Sequence, residues 1–154
     1  MPAPATLDGG DVLRIAGRLF VGLTDRTNRA GFEFLASAAA GLETIAVPVA
    51  RGLHLKSGCT IADAETLLCH RASVDPAPFV AAGVRVLEVD ESAGANVLAL
   101  GPTVLASSAA PRTIDRLTAL GFDVRVLDLG EFHKGDGALT CLSLRVPAAG
   151  AWAT

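Results

Sequence analysis

Three β-rich stretches recur along this chain, at residues 44–49 (TIAVPV), 84–89 (VRVLEV) and 123–129 (DVRVLDL), with starts 40 and 39 residues apart. In the last two, apolar and polar positions alternate, with Arg85, Glu88, Arg125 and Asp128 on the polar side. Alternation of period two predicts strands, and a constant spacing points to a repeated unit. What precedes each stretch repeats as well. Two short strands and a helix are predicted at 11–15, 18–22 and 28–40, the helix stopping near Gly41. The second set is strands 54–61 and 66–69, then a helix opening at Asp75-Pro76 and ending at Gly83. The third is strands 95–100 and 103–107, then a helix over 111–120 ending at Gly121. Proline early and glycine late is the usual order of helix boundaries. A tenth strand is predicted at 138–146.

The pattern therefore reads strand–strand–helix–strand three times, an α/β fold of ββαβ units spanning residues 1–146, with a loose Ala/Gly-rich tail at 147–154. Units of this size cannot bury their own faces, so neighbours pack in an arc or ring. An ordinary α/β sandwich with accidental spacing is the alternative.

Composition narrows the classes. The 154 residues suit one domain, and 51% hydrophobic against 19% charged residues excludes a disordered chain. A net charge of −3 leaves no basic face for nucleic acid. Residues 92–111 carry no charge, but Gly94, Asn96, Gly101-Pro102 and Ser107-Ser108 interrupt them, so two short strands fit better than a membrane span. No signal-peptide pattern opens the chain, and three cysteines without a C-x-x-C pair argue against disulfides or zinc. A cytoplasmic protein without metal or cofactor is expected.

Candidate chemistry gathers in three segments: LDGGD at 7–11, GLHLKS at 52–57 and DGALTCLS at 136–143. Cys141, in the tenth strand after a Gly-Asp-Gly turn, is either a buried small hydrophobe or a nucleophile. A free thiol is only about 3% thiolate at neutral pH, so the second role needs an imidazole or a cation nearby. His54 is a general acid/base or a surface loop residue. Asp8 and Asp11 flank two glycines; either carboxylate can orient an imidazole, and a plain Asp-capped turn is the alternative. Arg26 can clamp a carboxylate or lie solvated ahead of the helix. Cys59 reads as core and His133 as a solvated loop residue. Cys69-His70 are metal-ligand types, but on a strand they point to opposite faces.

Together, L-D-G-G-D-V-L at 7–13, R-T-N at 26–28, G-L-H-L-K-S at 52–57, A-N at 95–96 and D-G-A-L-T-C-L-S at 136–143 resemble the dimethylarginine dimethylaminohydrolases. That family belongs to the guanidino-group-modifying (amidinotransferase) superfamily, whose fold is a pentein α/β-propeller of five ββαβ blades. The resemblance runs from residue 7 to about 146. It implies that Cys141 attacks the guanidinium carbon to form a covalent thiouronium, and that His54 serves the leaving amine and then the water. It further implies that Asp8 orients His54, Arg26 binds the substrate's α-carboxylate, and the Gly135 backbone touches the substrate. The substrate would be a small N-methylated arginine, and the product citrulline. The arginine deiminases, a sibling family, typically carry His-x-Asp at the histidine motif; Lys56 at that position points away from them. A deiminase relative, another amidine hydrolase, and a truncated non-catalytic remnant or binding module are the alternatives.

Only three of the five blades are countable here, and the acidic residues and lid of the family's front part have no counterpart ahead of Asp8. The expectation is that Met1 is an internal methionine read as a start, or that the gene has lost its front half. An open arc exposes strand edges. The 154-residue chain alone is thus expected to be unstable or self-associating, and weakly active.

Overall fold

The computed structural model describes residues 1–146; the tail expected at 147–154 lies outside the described residues. The repeat is present. The first unit comprises β1 (Val12–Ile15), β2 (Arg18–Leu23), α1 (Arg29–Ala38) and β3 (Thr44–Pro48). After a one-turn helix α2 (Leu55–Gly58), the second comprises β4 (Cys59–Ile61), β5 (Thr66–Cys69), α3 (Ala77–Ala81) and β6 (Arg85–Glu88). The third comprises β7 (Leu98–Leu100), β8 (Thr103–Ser107), α4 (Pro111–Ala119) and β9 (Asp123–Leu127), followed by the short α5 (Gly130–His133).

Each unit folds into its own three-stranded mixed sheet, in sequence order. The first two strands form an antiparallel hairpin, and the third returns parallel to the second. A parallel return needs a crossover, which is why a helix sits before every third strand. All three crossover helices stop at a left-handed glycine, Gly41 (φ 100°), Gly83 (φ 79°) and Gly121 (φ 90°).

Two apolar cores lie between the units. Leu13, Ile15, Phe20 and Val47 from the first sheet meet Leu67, Cys69 and Phe79 from the second unit. Phe20 and Phe79 stack there with ring centroids 4.4 Å apart. On the other side of the second sheet, Leu68 joins Val97, Val104, Ala106 and Leu117 of the third unit. Thus β5 is buried along its whole length, with alternate residues feeding alternate cores.

Four expectations are corrected. Residues 54–61 are not one strand: His54 caps α2, and β4 begins at Cys59. The buried Asp11 carboxylate accepts the Leu55 amide at 2.8 Å, and the Ser57 hydroxyl accepts the His54 amide at 3.3 Å, so side chains satisfy the donors that open a helical turn. Residues 138–146 alternate in hydrophobicity but pair with no strand, and the chain around Cys141 is a turn with a 3.1 Å bond from the Leu142 amide to the Ala138 carbonyl. Alternation creates a face, whereas a strand needs a ladder partner as well. Residues 92–95 form a 3₁₀ turn, so β7 starts only at Leu98. His133 closes α5 and is half-buried, not a solvated loop residue.

Candidate active site

The 3₁₀ turn Gly9–Asp11 leads into β1 and places two carboxylates with different tasks. Asp11 is fully buried; one oxygen takes the Leu55 amide, and the other accepts from the hydroxyls of Thr24 (2.9 Å) and Thr27 (2.6 Å). Asp11 therefore anchors the start of α2, one residue beyond His54. Asp8 is the carboxylate that meets the imidazole, with Oδ2 at 3.0 Å from His54 Nε2. The hydrogen bond from His54 holds the Asp8 carboxyl below its ordinary value of 3.8, and the nearby Arg26 guanidinium adds to this. Between the two choices left by the sequence, the imidazole partner is Asp8 and the helix anchor is Asp11.

The glycines beside these carboxylates have a steric role. A Cβ on Gly10 would come within 2.5 Å of His54 Cγ, so the imidazole lies directly on the Gly10 backbone. This explains why a D-G-G sequence, which alone suggests only a turn, belongs to the site.

Cys141 is exposed, in contrast to Cys59 and Cys69, which are buried core residues. Burial pushes the Cys59 thiol well up, and burial raises the Cys69 thiol to about 11, so neither supplies thiolate near neutrality. The Sγ of Cys141 accepts the Ala138 amide at 3.0 Å and lies 3.1 Å from the Ala138 carbonyl, inside its own turn.

His54 and Cys141 line one cleft of about 300 Å³, together with Gly9, Gly10, Lys56, Asn96, Asp136 and Thr140. Lys56 is half-buried there, and burial pushes its ammonium down against the opposing pull of Asp11. A wider hollow of about 640 Å³ adjoins, sharing Leu53, Ser57, Asn96, Asp136 and Ala138 and reaching His133. Arg26 does not line the cleft. Its Nη1 lies 3.5 Å from Asp8 Oδ2, on the same oxygen that meets His54. Gly135 also stays outside, its amide bonded back to the Phe132 carbonyl at 3.0 Å, while its neighbour Asp136 (φ 58°) turns into the cleft wall. Asn96 is the contributor that residue-by-residue reading missed; its only signal was membership of the A-N motif.

No protein-family profile matches the chain. Individual relatives do. It is 42% identical over 147 residues to the N(G),N(G)-dimethylarginine dimethylaminohydrolase of Streptomyces coelicolor, covering 93% of this chain and 55% of the relative. The enzyme of the same name from Pseudomonas aeruginosa is 29% identical over 145 residues, covering 93% and 57%. Among solved structures, a cysteine-to-serine mutant of that Pseudomonas protein in complex with citrulline superposes with a TM-score of 0.80 at 27% identity, covering 95% of this chain and 58% of the other. The chain thus spans little more than half the length of these relatives.

Three ββαβ units, with His54 and Cys141 on one cleft and Asp8 hydrogen-bonded to His54, give this chain the fold of the amidinotransferase (pentein) superfamily structures it superposes on. In sequence, over the part it matches, the chain is a homologue of the dimethylarginine dimethylaminohydrolases.

Proposed function

We propose that this chain carries the nucleophile-and-base half of a hydrolase acting on the C–N bonds of N-methylated arginine. The observation that carries the reading is the convergence on one cleft of an exposed sulfur and an imidazole held by a carboxylate 3.0 Å away. A guanidinium is a weak electrophile, which a soft thiolate suits, and the cationic substrate itself favours the thiolate.

In this mechanism the Cys141 sulfur bonds to the guanidinium carbon, and the C–N bond to dimethylamine or methylamine breaks. His54, protonated and steadied by Asp8, gives its proton to the departing amine. The resulting thiouronium carbon then accepts the oxygen of water while His54 takes the water's proton. The C–S bond breaks, its electron pair returns to sulfur, the remaining hydroxyl proton passes to solvent, and citrulline leaves. Arg26 would have to part from Asp8 to reach a substrate α-carboxylate, and the Gly135 backbone would receive the substrate beside the nucleophile. Self-association through the strand edges that an open arc exposes belongs to the same proposal.

Incubation with asymmetric dimethylarginine and a citrulline assay tests the reading. Wild type is expected to form citrulline and Cys141→Ser none. Absence of citrulline from both would favour a non-catalytic binding module instead.

A further inference from the structure

We propose that Asn96 is a positioning residue that moors the turn bearing Cys141 to the one-turn helix that His54 caps. The mooring follows from geometry; its catalytic consequence rests on the amidine-hydrolase reading of the site.

Asn96 is 6% exposed, and its amide joins two segments far apart in the chain. Its Nδ2 donates to the Lys56 carbonyl in α2 at 2.8 Å and to Thr140 Oγ1 at 2.9 Å. Its Oδ1 accepts the Thr140 amide at 3.2 Å. Thr140 directly precedes Cys141, and Lys56 lies two residues after His54. Among the described residues, no other hydrogen bond ties the segment 138–146 to a distant part of the chain. Beyond the burial of Leu139, the turn that carries the sulfur is therefore held to distant chain through the hydrogen bonds of one side chain.

That side chain is itself aimed. The buried Thr60 hydroxyl donates to the Ala95 carbonyl at 2.7 Å and accepts the Val97 amide at 2.9 Å, clamping the backbone on both sides of Asn96. Two residues back, Gly94 lies so close to Thr113 that a Cβ there would come within 2.2 Å of its hydroxyl. The asparagine thus hangs from a fixed stretch of backbone. Only an amide offers two donors and an acceptor in one rigid plane; aspartate lacks the donors and leucine lacks both. A displacement of about 1 Å between catalytic groups can cost on the order of 10²-fold in rate.

The test uses the full chain with Asn96→Ala, Asn96→Asp and Thr140→Val. Hydrogen exchange of the Thr140 amide, followed by NMR, needs no activity. It is expected to quicken at least about tenfold in Asn96→Ala, which removes the acceptor, and much less in Thr140→Val, which keeps it. In turnover, Asn96→Ala is expected to lose on the order of 10²-fold in kcat, with KM within about threefold. Asn96→Asp, retaining the acceptor alone, should fall between. Unchanged exchange at Thr140 in folded Asn96→Ala overturns the proposal, as does wild-type kcat in that variant. Should Asn96→Ala fail to fold, Thr140→Val decides through kcat: a several-fold loss supports the mooring and an unchanged value overturns it. A wild type that forms no citrulline while Thr140 exchange still responds to Asn96→Ala would overturn the proposed function and leave the mooring standing.

Discussion

At the scale of single residues, the site depends on what Gly10 lacks and on what Asp8 retains. Gly10→Ala puts a methyl into the space of the His54 ring, and the ring is the movable partner. Its displacement is expected to lower kcat by on the order of 10²-fold, with a melting temperature within a few degrees of wild type. Asp8→Asn preserves shape but removes the charge that steadies the imidazolium, and a loss of about 10²–10⁴-fold in kcat is expected. The same carboxylate fixes the sign of one pH effect. Its hydrogen bond to His54 holds Asp8 below 3.8, so its stabilising contribution is complete above that value and is lost as pH falls through the lowered one. Acid unfolding followed by circular dichroism should show an Asp8-dependent decline only below pH 3.8, absent in Asp8→Asn. A decline shared equally by both proteins would mean that the bond contributes nothing.

The one-turn helix α2 shows at element scale how local pattern and tertiary anchoring compete. Four residues hold little helix by themselves, since nucleating a turn is unfavourable. The buried Asp11 carboxylate compensates by accepting the Leu55 amide 44 positions away. Asp11→Ala would leave that amide and the Thr24 and Thr27 hydroxyls without their acceptor, so a destabilisation of about 2–4 kcal/mol by urea unfolding is expected, with activity lost through His54. This long-range bond is also why residues 54–61 read as a strand: the sequence displays alternation, and the partner that overrides it lies in another unit. The three crossover helices and the strands 66–69 and 103–107 were legible because their signals, glycine stops and β-rich runs, are local. Cys141 stayed ambiguous from its neighbours because its exposure depends on having no strand to pair with. Asn96 was recognisable as part of a motif, but its partners at Lys56 and Thr140 are 40 and 44 residues distant.

Across the described residues one packing rule operates twice and leaves a third face open among them. The first sheet's Leu13, Phe20 and Val47 are covered by Phe79 of the second unit's helix. The second sheet's Leu68 is covered by Leu117 of the third unit's helix. The corresponding face of the third sheet holds Leu98, Leu105, Leu100 and Leu127 beside the Arg125–Asp123 ion pair, placed together by the β7–β8–β9 register. Leu100 and Leu127 are 46% and 42% exposed, and Phe34 on α1, at the other end of the arc, is 43% exposed. Uncovered apolar surface of this kind drives association, and a sheet face meeting a helix of a second copy is a head-to-tail contact that can repeat. Sedimentation velocity is therefore expected to show species heavier than one chain, growing with protein concentration and persisting at high salt because the contact is apolar. Leu100→Lys with Leu127→Lys should shift the population toward the single chain without lowering the melting temperature, since neither side chain belongs to either core. A wild-type protein sedimenting as one chain at every concentration would show that this face needs no cover.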